Sequence, residues 1–212
     1  MSVVLLSGRF KMSVVLLSGQ KRPFAFANGL FIRKGKMDEV KTEENKPILC
    51  YVEKSYLKYM HSIDRCVSVK YNNRVFAGIV TSINNQKYVI PLTSQTTQER
   101  IKEGKKKRSS TITTFIMNGD EEIANLLYNN MFPIQSTSIT KVIIDPLVDT
   151  YCANEIRYIR KNWEEIEEKA KKVYNERYDI KSRNYSFLKK TCCDFKKLEK
   201  EYEKYTIEPV QC

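Results

Sequence analysis

A single histidine, His61, stands in a chain of 212 residues. That excludes a mechanism using two imidazoles as acid and base, and any metal site built from several. The seven glycines are dispersed and form no phosphate-cradling loop, so ATP and NAD chemistry is not expected. The six cysteines (Cys50, Cys66, Cys152, Cys192, Cys193 and Cys212) lack CxxC spacing. The adjacent Cys192 and Cys193 could bridge only through a strained ring, so neither a zinc site nor a disulfide framework is suggested. Long apolar runs are missing too. Val14 to Leu17 is the longest near the N-terminus, far below the roughly 18 residues of a membrane span and too short for the apolar stretch of a signal peptide. A cytoplasmic chain without membrane association is expected.

What is present is positive charge. Lys and Arg number 37 against 25 Asp and Glu, a formal charge of +12 and a pI near 9.3. The acids concentrate in Glu164 to Glu168 and Glu199 to Glu203, which leaves Cys66 to Arg108 strongly basic. Nucleic acid, an anionic surface or an acidic protein are the partners such a charge favours. With 42% apolar and 11% aromatic residues, a chain of this size can bury roughly 70% of its unfolded surface around one core.

The octapeptide MSVVLLSG occurs twice, at Met1 to Gly8 and Met12 to Gly19. A single repeat is no solenoid, and a duplicated coding start or an expression scar is the simplest explanation. Residues 1 to 46 are therefore expected to be a poorly ordered or dispensable appendage, and 47 to 212 one domain. Within it, Ile48 to Val52 reads as a strand and Ser55 to Ile63 as a short helix that Ser55 could cap. Arg74 to Ile83 and Lys87 to Leu92 flank the turn Asn84-Asn85-Gln86, the clearest hairpin in the chain. Gly78 suggests a bulge or a close backbone approach, and Pro91 a strand end or edge. A basic loop, Gln95 to Ser110, precedes a strand at Thr111 to Met117. A short helix is expected at Glu121 to Asn129 and a last strand at Ser138 to Ile144. Ile156, Ile159, Trp163, Ile166, Ala170 and Val173 recur at helical spacing, backed by Glu165–Lys169, Glu167–Lys171 and Glu168–Lys172 pairs. A further helix is capped by Asp194, with Phe195, Leu198, Tyr202 and Tyr205 on one face. The expected class is α+β, a compact, strongly bent antiparallel sheet or barrel with covering helices and a helical C-terminal third.

Asp64, Asp120 and Glu121 are too scattered in sequence to suggest a magnesium site, so metal-independent chemistry is the expectation. Thr93-Ser94 ends the return strand of the hairpin, facing the start of its partner, where Lys70, Tyr71 and Arg74 lie. Hydroxyls beside fixed cations suit a phosphodiester, and in RNA the substrate's own 2′-OH can be the nucleophile. The plainer alternative is that Thr93 and Ser94 end a strand among solvated cations. Lys102, Lys105, Lys106, Lys107 and Arg108 can grip a phosphate backbone or form a solvated loop. Tyr51, Tyr56, Tyr59, Tyr71 and Tyr88 can stack on bases or pack in the core. His61 is read as a partly exposed structural residue.

The ordered blocks YLKYMHSID (Tyr56 to Asp64), VFAGIV (Val75 to Val80), KYVIPLTS (Lys87 to Ser94), FPI (Phe132 to Ile134), EIRYIRKN (Glu155 to Asn162) and CDFKKLEKEY (Cys193 to Tyr202) resemble the ToxN/AbiQ family. These are endoribonuclease toxins of type III toxin-antitoxin systems, and the likeness covers about residues 48 to 205. It implies a bent-barrel toxin-nuclease fold and metal- and cofactor-independent cleavage of cellular or phage RNA to 2′,3′-cyclic phosphate and 5′-OH ends. It implies a small repeated pseudoknot RNA as antitoxin, held in a closed protein–RNA assembly, and a role in abortive infection against phage. By position the family's Thr-Ser pair falls on Thr93 and Ser94, its basic residue on Arg74, and its active-site tyrosine on Lys70, with Tyr71 displaced by one. After Thr-Ser the family commonly has Pro-Lys; here Gln95-Thr96 stands instead, and Lys102 or Lys105 are the candidates to replace that lysine. The expected catalytic set is thus Ser94, Thr93, Arg74, Lys70 and Tyr71. Lys87, Arg100, Lys102, Lys105, Lys106, Lys107 and Arg108 are the expected RNA contacts, with no metal ligand among them. A non-catalytic RNA-binding module is the alternative from another class, and a scaffold pairing through the helix at Ile156 to Val173 is a third.

Overall fold

The sheet grows outward from the Asn84-Asn85 hairpin. Strand β2 (Ala77–Ile83) turns into β3 (Gln86–Thr93) through two residues at φ 51° and 64°, the left-handed pair that a two-residue turn needs and that asparagine tolerates. The computed structural model describes residues 47, 49–69 and 77–206. The appendage expected at residues 1–46 lies outside the described residues, as do Lys70, Tyr71 and Arg74. On the far side of β2 lie β1 (Leu49–Val52) and then β7 (Ile139–Lys141), while β3 continues to β5 (Glu121–Leu127) and β4 (Thr113–Asn118). All pairings are antiparallel, and the short β6 (Phe132–Pro133) pairs the first half of β3.

Pro91 does not end β3. The strand runs on to Thr93, and the register shows why proline is tolerated. Ile83 and Gln86 close the turn as a hydrogen-bonded pair, so alternate pairs outward from them are hydrogen-bonded, and Gly78–Pro91 is not. The proline nitrogen therefore faces away from β2. On that side β3 changes partner, from β6 at Tyr88 and Val89 to β5 at Leu92 and Thr93, and Pro91 falls in the gap where no ladder donor is required. One strand serving two partners in succession bends the sheet into the expected curled form.

The buried face carries helices. Helix α1 (Lys54–Ile63) inserts Tyr56, Leu57 and Met60 into the core. Its N-cap is Glu53, without a side-chain cap hydrogen bond, so Ser55 does not cap it. The apolar periodicity at Ile156 to Val173 belongs to two helices, α3 (Thr150–Lys161) and α4 (Trp163–Glu176), broken at Asn162. Asn162 (φ −112°, ψ 26°) leaves helical geometry, and its amide donates to the Tyr158 carbonyl 2.8 Å away, yet the stripe of Ile156, Ile159, Ile166, Ala170 and Val173 stays buried across the break. Lys169, besides feeling the Glu165 charge, reaches into the sheet and donates to the Thr113 carbonyl (2.8 Å) and Thr114 Oγ1 (3.2 Å). Helices α5 (Tyr185–Thr191) and α6 (Phe195–Glu201) follow, and Asp194 caps α6 by accepting from Lys197 N at 3.2 Å. Glu199 of α6 accepts from the hydroxyls of Tyr88 (2.5 Å) on β3 and Tyr174 (3.0 Å) on α4. Burial, then that carboxylate, pushes both phenols up, Tyr174 to about 12.

The expected helix at Glu121 to Asn129 is strand β5. Gly119 at φ 59° makes the turn from β4, and the segment pairs antiparallel with β4, so sheet pairing overrides its helical composition. The last strand is trimmed to Ile139–Lys141. Among the described residues no helix is long and apolar enough to cross a membrane.

Gly78 is a point of close approach rather than a bulge. A Cβ there would stand 2.6 Å from Val89 Cγ1 and 2.8 Å from the Ile90 carbonyl oxygen. Gly78→Ala should lower stability by about 1–3 kcal/mol, read as a fall in thermal midpoint. Adding Val89→Ala should not restore it, because the second obstacle is backbone.

Candidate functional site

Thr93 ends β3, half-buried, and Ser94 follows it, also half-buried. Thr93 is in register with Asn125 of β5, and Asn125 with Phe115 of β4, so the three side chains stand in one row on one face of the sheet. Residues 95–108 fold back over this face. Their organiser is Gln95, the residue standing where the family resemblance expects proline.

Gln95 spends nearly every polar atom on the loop. Its amide donates to Thr93 Oγ1 (3.3 Å) and its side-chain nitrogen to Glu103 (2.8 Å). Its side-chain oxygen accepts from Arg100 (3.3 Å) and Arg108 (3.0 Å), and its carbonyl from Arg108 (2.8 Å) and Asn125 (2.9 Å). Helix α2 (Thr97–Lys102) begins two residues later on a capping box, in which Thr96 Oγ1 accepts from Glu99 N and Glu99 accepts from Thr96 N. Glu122 of β5 ties that helix to the sheet, accepting from Thr97 N (2.7 Å) and from Asn125 (3.0 Å). Asn125 is fully buried, and among the described residues its Oδ1 has no partner.

The predicted RNA contacts divide in this geometry. Arg100 and Arg108 are half-buried and fixed beside Thr93-Ser94 through Gln95. Burial, then the neighbouring Arg100 charge, lowers the Arg108 pKa to about 10. Lys102, Lys105, Lys106 and Lys107 are exposed along the same loop. Lys105 pairs with Glu103 at 2.6 Å, and Lys107 stands 5.3 Å from the centre of the Phe115 ring. Lys87 is not gathered in. It lies at the opposite end of β3, six residues or about 20 Å of strand from Thr93, donating to Ser136. Chain entry into β2 at Ala77, next to the Gly78–Pro91 pair, is at the Thr93 end of the sheet.

Other candidates resolve into structure. His61 Nδ1 donates to the Val67 carbonyl at 2.7 Å. Tyr56 and Tyr88 are fully buried and hydrogen-bonded to the Pro133 carbonyl and Glu199, so neither can stack on a base, and Tyr59 binds the Glu201 carbonyl. Asp64 accepts from Cys66 N and Asp194 N, while Asp120 and Glu121 lie at the β4–β5 turn. Sequence reasoning missed α2, although Thr96-Thr97-Gln98-Glu99 is a legible capping box. It also missed Gln95, Glu122 and Asn125, whose partners lie up to 30 residues away and leave no local signal.

A bent antiparallel sheet with a Thr-Ser strand end under a basic flap defines the fold class, and comparison with known proteins supplies the family. The profile of the family described as Toxin ToxN, type III toxin-antitoxin system, matches residues 48–203, and the chain belongs to that family. It is 26% identical over 179 residues to Endoribonuclease ToxN of Bacillus thuringiensis subsp. kurstaki, covering 77% of this chain and 87% of the relative. It is 26% identical over 162 residues to Endoribonuclease AbiQ of Lactococcus lactis subsp. lactis, covering 73% and 87%. Among solved structures it superposes with a TM-score of 0.66 and 25% identity on a protein from a study of type III toxin inhibition by a non-coding RNA pseudoknot, covering 76% of this chain and 98% of that one. A structure of the lactococcal anti-phage endoribonuclease AbiQ shares the fold at a TM-score of 0.63, 23% identity and coverages of 76% and 98%.

If Gln95 holds the flap, Gln95→Ala should release it without unfolding the sheet. Tryptic cleavage after Arg100 and Lys105 to Arg108 should accelerate about tenfold, equivalent to losing roughly one net hydrogen bond, while the thermal midpoint moves little.

Proposed function

We propose that this chain is an endoribonuclease toxin of a type III toxin-antitoxin system, and that it cleaves RNA without a metal to leave 2′,3′-cyclic phosphate and 5′-OH ends. The observation that carries the reading is the clamped basic flap over Thr93-Ser94, in a chain belonging to this toxin family. In this reading Thr93 and Ser94 orient the scissile phosphate, while Arg74 and Lys70, which lie outside the described residues, stabilise its developing charge. Tyr71, also outside them, is assigned proton transfer or base stacking. The 2′-OH of the substrate attacks the adjacent phosphorus, its proton leaves to a base, and the 5′ oxygen departs with a proton, so only orientation and proton transfer are asked of the protein. Arg100, Lys102, Lys105, Lys106, Lys107 and Arg108 track the backbone, and Lys87 belongs to a more distant RNA contact.

The same flap suits a small repeated pseudoknot RNA as antitoxin, within a closed protein–RNA assembly acting in the cytoplasm against phage. Residues 47 to 212 are taken as the nuclease domain and 1 to 46 as its appendage. One feature favours the non-catalytic alternative: Gln95-Thr96 holds the place of the family's Pro-Lys, and its side chains serve the flap.

Incubation of the protein with total RNA in EDTA separates the two. Discrete cleavage with 5′-OH ends is expected, and bound but intact RNA would establish the binding module. Ser94→Ala should abolish both cleavage and toxicity, with a loss of at least about a hundredfold in rate and an unchanged thermal midpoint. A folded, fully toxic Ser94→Ala protein would remove Ser94 from the site.

A further inference from the structure

The four phenylalanines among the described residues do different things. Phe132 and Phe195 are fully buried in the core, and Phe187 is 38% exposed on α5. Phe115 is partly exposed and belongs neither to the core cluster nor to the apolar side chains packed around it. On β4 it is Ile116 that feeds the interior, and the Phe115 ring meets the flap instead.

Its position is set by the ladder. Thr93 pairs with Asn125 and Asn125 with Phe115, two strand spacings or about 10 Å from the Thr-Ser hydroxyls. Lys107, from the flap, stands 5.3 Å from the ring centre, within the range of a cation–π contact. The flap carrying Lys107 is anchored to the same row through Gln95 and Asn125. A partly exposed ring with a cation over one face and a neighbouring phosphate site supply the elements that single-stranded nucleic acid uses: a base stacked on the ring, in place of the cation or on its other face, and the phosphate on the displaced or neighbouring cation.

We propose that Phe115, with Lys107, is the stacking subsite for the base of a nucleotide flanking the scissile phosphate. Phe115 thereby contributes to the choice of cleavage site, through stacking strength rather than edge recognition. Lys107 neutralises the phosphate of that same nucleotide. The inference rests on the reading that Thr93 and Ser94 hold the scissile phosphate, and the test keeps the two apart.

The full-length protein and its Phe115→Leu, Phe115→Tyr and Phe115→Trp variants are given a randomised single-stranded RNA pool, and the new ends are mapped. Phe115→Leu should lose about tenfold in kcat/KM and flatten the base preference at one flanking position, and Phe115→Tyr should restore both, which a merely structural role would not do. In parallel, Phe115→Trp is titrated at low salt with an all-2′-deoxy oligonucleotide, which has no 2′-OH to attack. Its fluorescence should be quenched beyond that of the parent chain, which carries Trp163 alone. If the parent cleaves but Phe115→Leu keeps rate and preference within twofold, the inference is overturned while the nuclease reading stands. If the parent does not cleave, the nuclease reading fails, and the quench alone decides: present, the stacking subsite stands; absent, it falls.

Discussion

Everything at the candidate site depends on one strand having two partners. β3 lends its first half to β6 and its last two residues to β5, with Pro91 at the change-over. Its ladder to β2 runs unbroken from Gly78–Pro91 to the turn. Such a strand cannot lie flat, because the sheets on either side of Pro91 diverge. The Thr93 end is thereby carried out of the core-facing half and presented beside β5 and β4. Gly78, opposite Pro91, completes the arrangement by letting the β2 backbone close on Val89 and Ile90 where no side chain would fit.

The other end of β3 is immobilised from behind. Tyr88 reaches through the core to Glu199, which also holds Tyr174. Phe195 stacks on Tyr174 with ring centres 5.6 Å apart and meets Tyr88 edge-on at 6.3 Å. One half-buried carboxylate thus joins β3, α4 and α6, with aromatic contacts of about 0.5–1.5 kcal/mol each around it. This division of labour explains why Tyr56 and Tyr88 are unavailable for base stacking. The curled sheet uses these large rings to anchor the helices and leaves the smaller, partly exposed Phe115 near the strand end.

Much of this was legible in the sequence because the informative residues are local. The Asn84-Asn85 turn, the close approach at Gly78 and the Asp194 cap are each dictated by a few neighbouring residues. The errors have equally specific causes. Glu121 to Leu127 has the composition of a helix, but a glycine at positive φ just before it folds the segment against β4, and pairing overrides propensity. The stripe from Ile156 to Val173 keeps helical spacing across Asn162, so periodicity alone could not detect a break that leaves the buried face in phase. Of the two expectations for Pro91, a strand end or an edge, the structure matches the second, since its nitrogen faces the gap between β6 and β5, a property of the assembled sheet. Gln95 is the clearest limit: nothing in its surroundings announces a side chain whose partners are Arg100, Glu103 and Arg108, with Asn125 on its carbonyl.

The flap that Gln95 organises is electrostatically unfavourable in the free protein. Arg100 and Arg108 converge on one amide oxygen, and their mutual repulsion adds to the cost of burial that brings Arg108 to about 10. Neutral oxygens and the carboxylates of Glu103 and Glu122 offset part of it. A neutral acceptor is suited to this place. It fixes both guanidinium groups without discharging them, whereas a carboxylate at position 95 would satisfy the cations and leave them less for a ligand. In the proposed reading, a phosphodiester beside Thr93 would meet cations already oriented. With Gln95 and Thr96 after Thr93-Ser94, the arginines held beside that strand end come from a clamped loop whose geometry depends on a single amide.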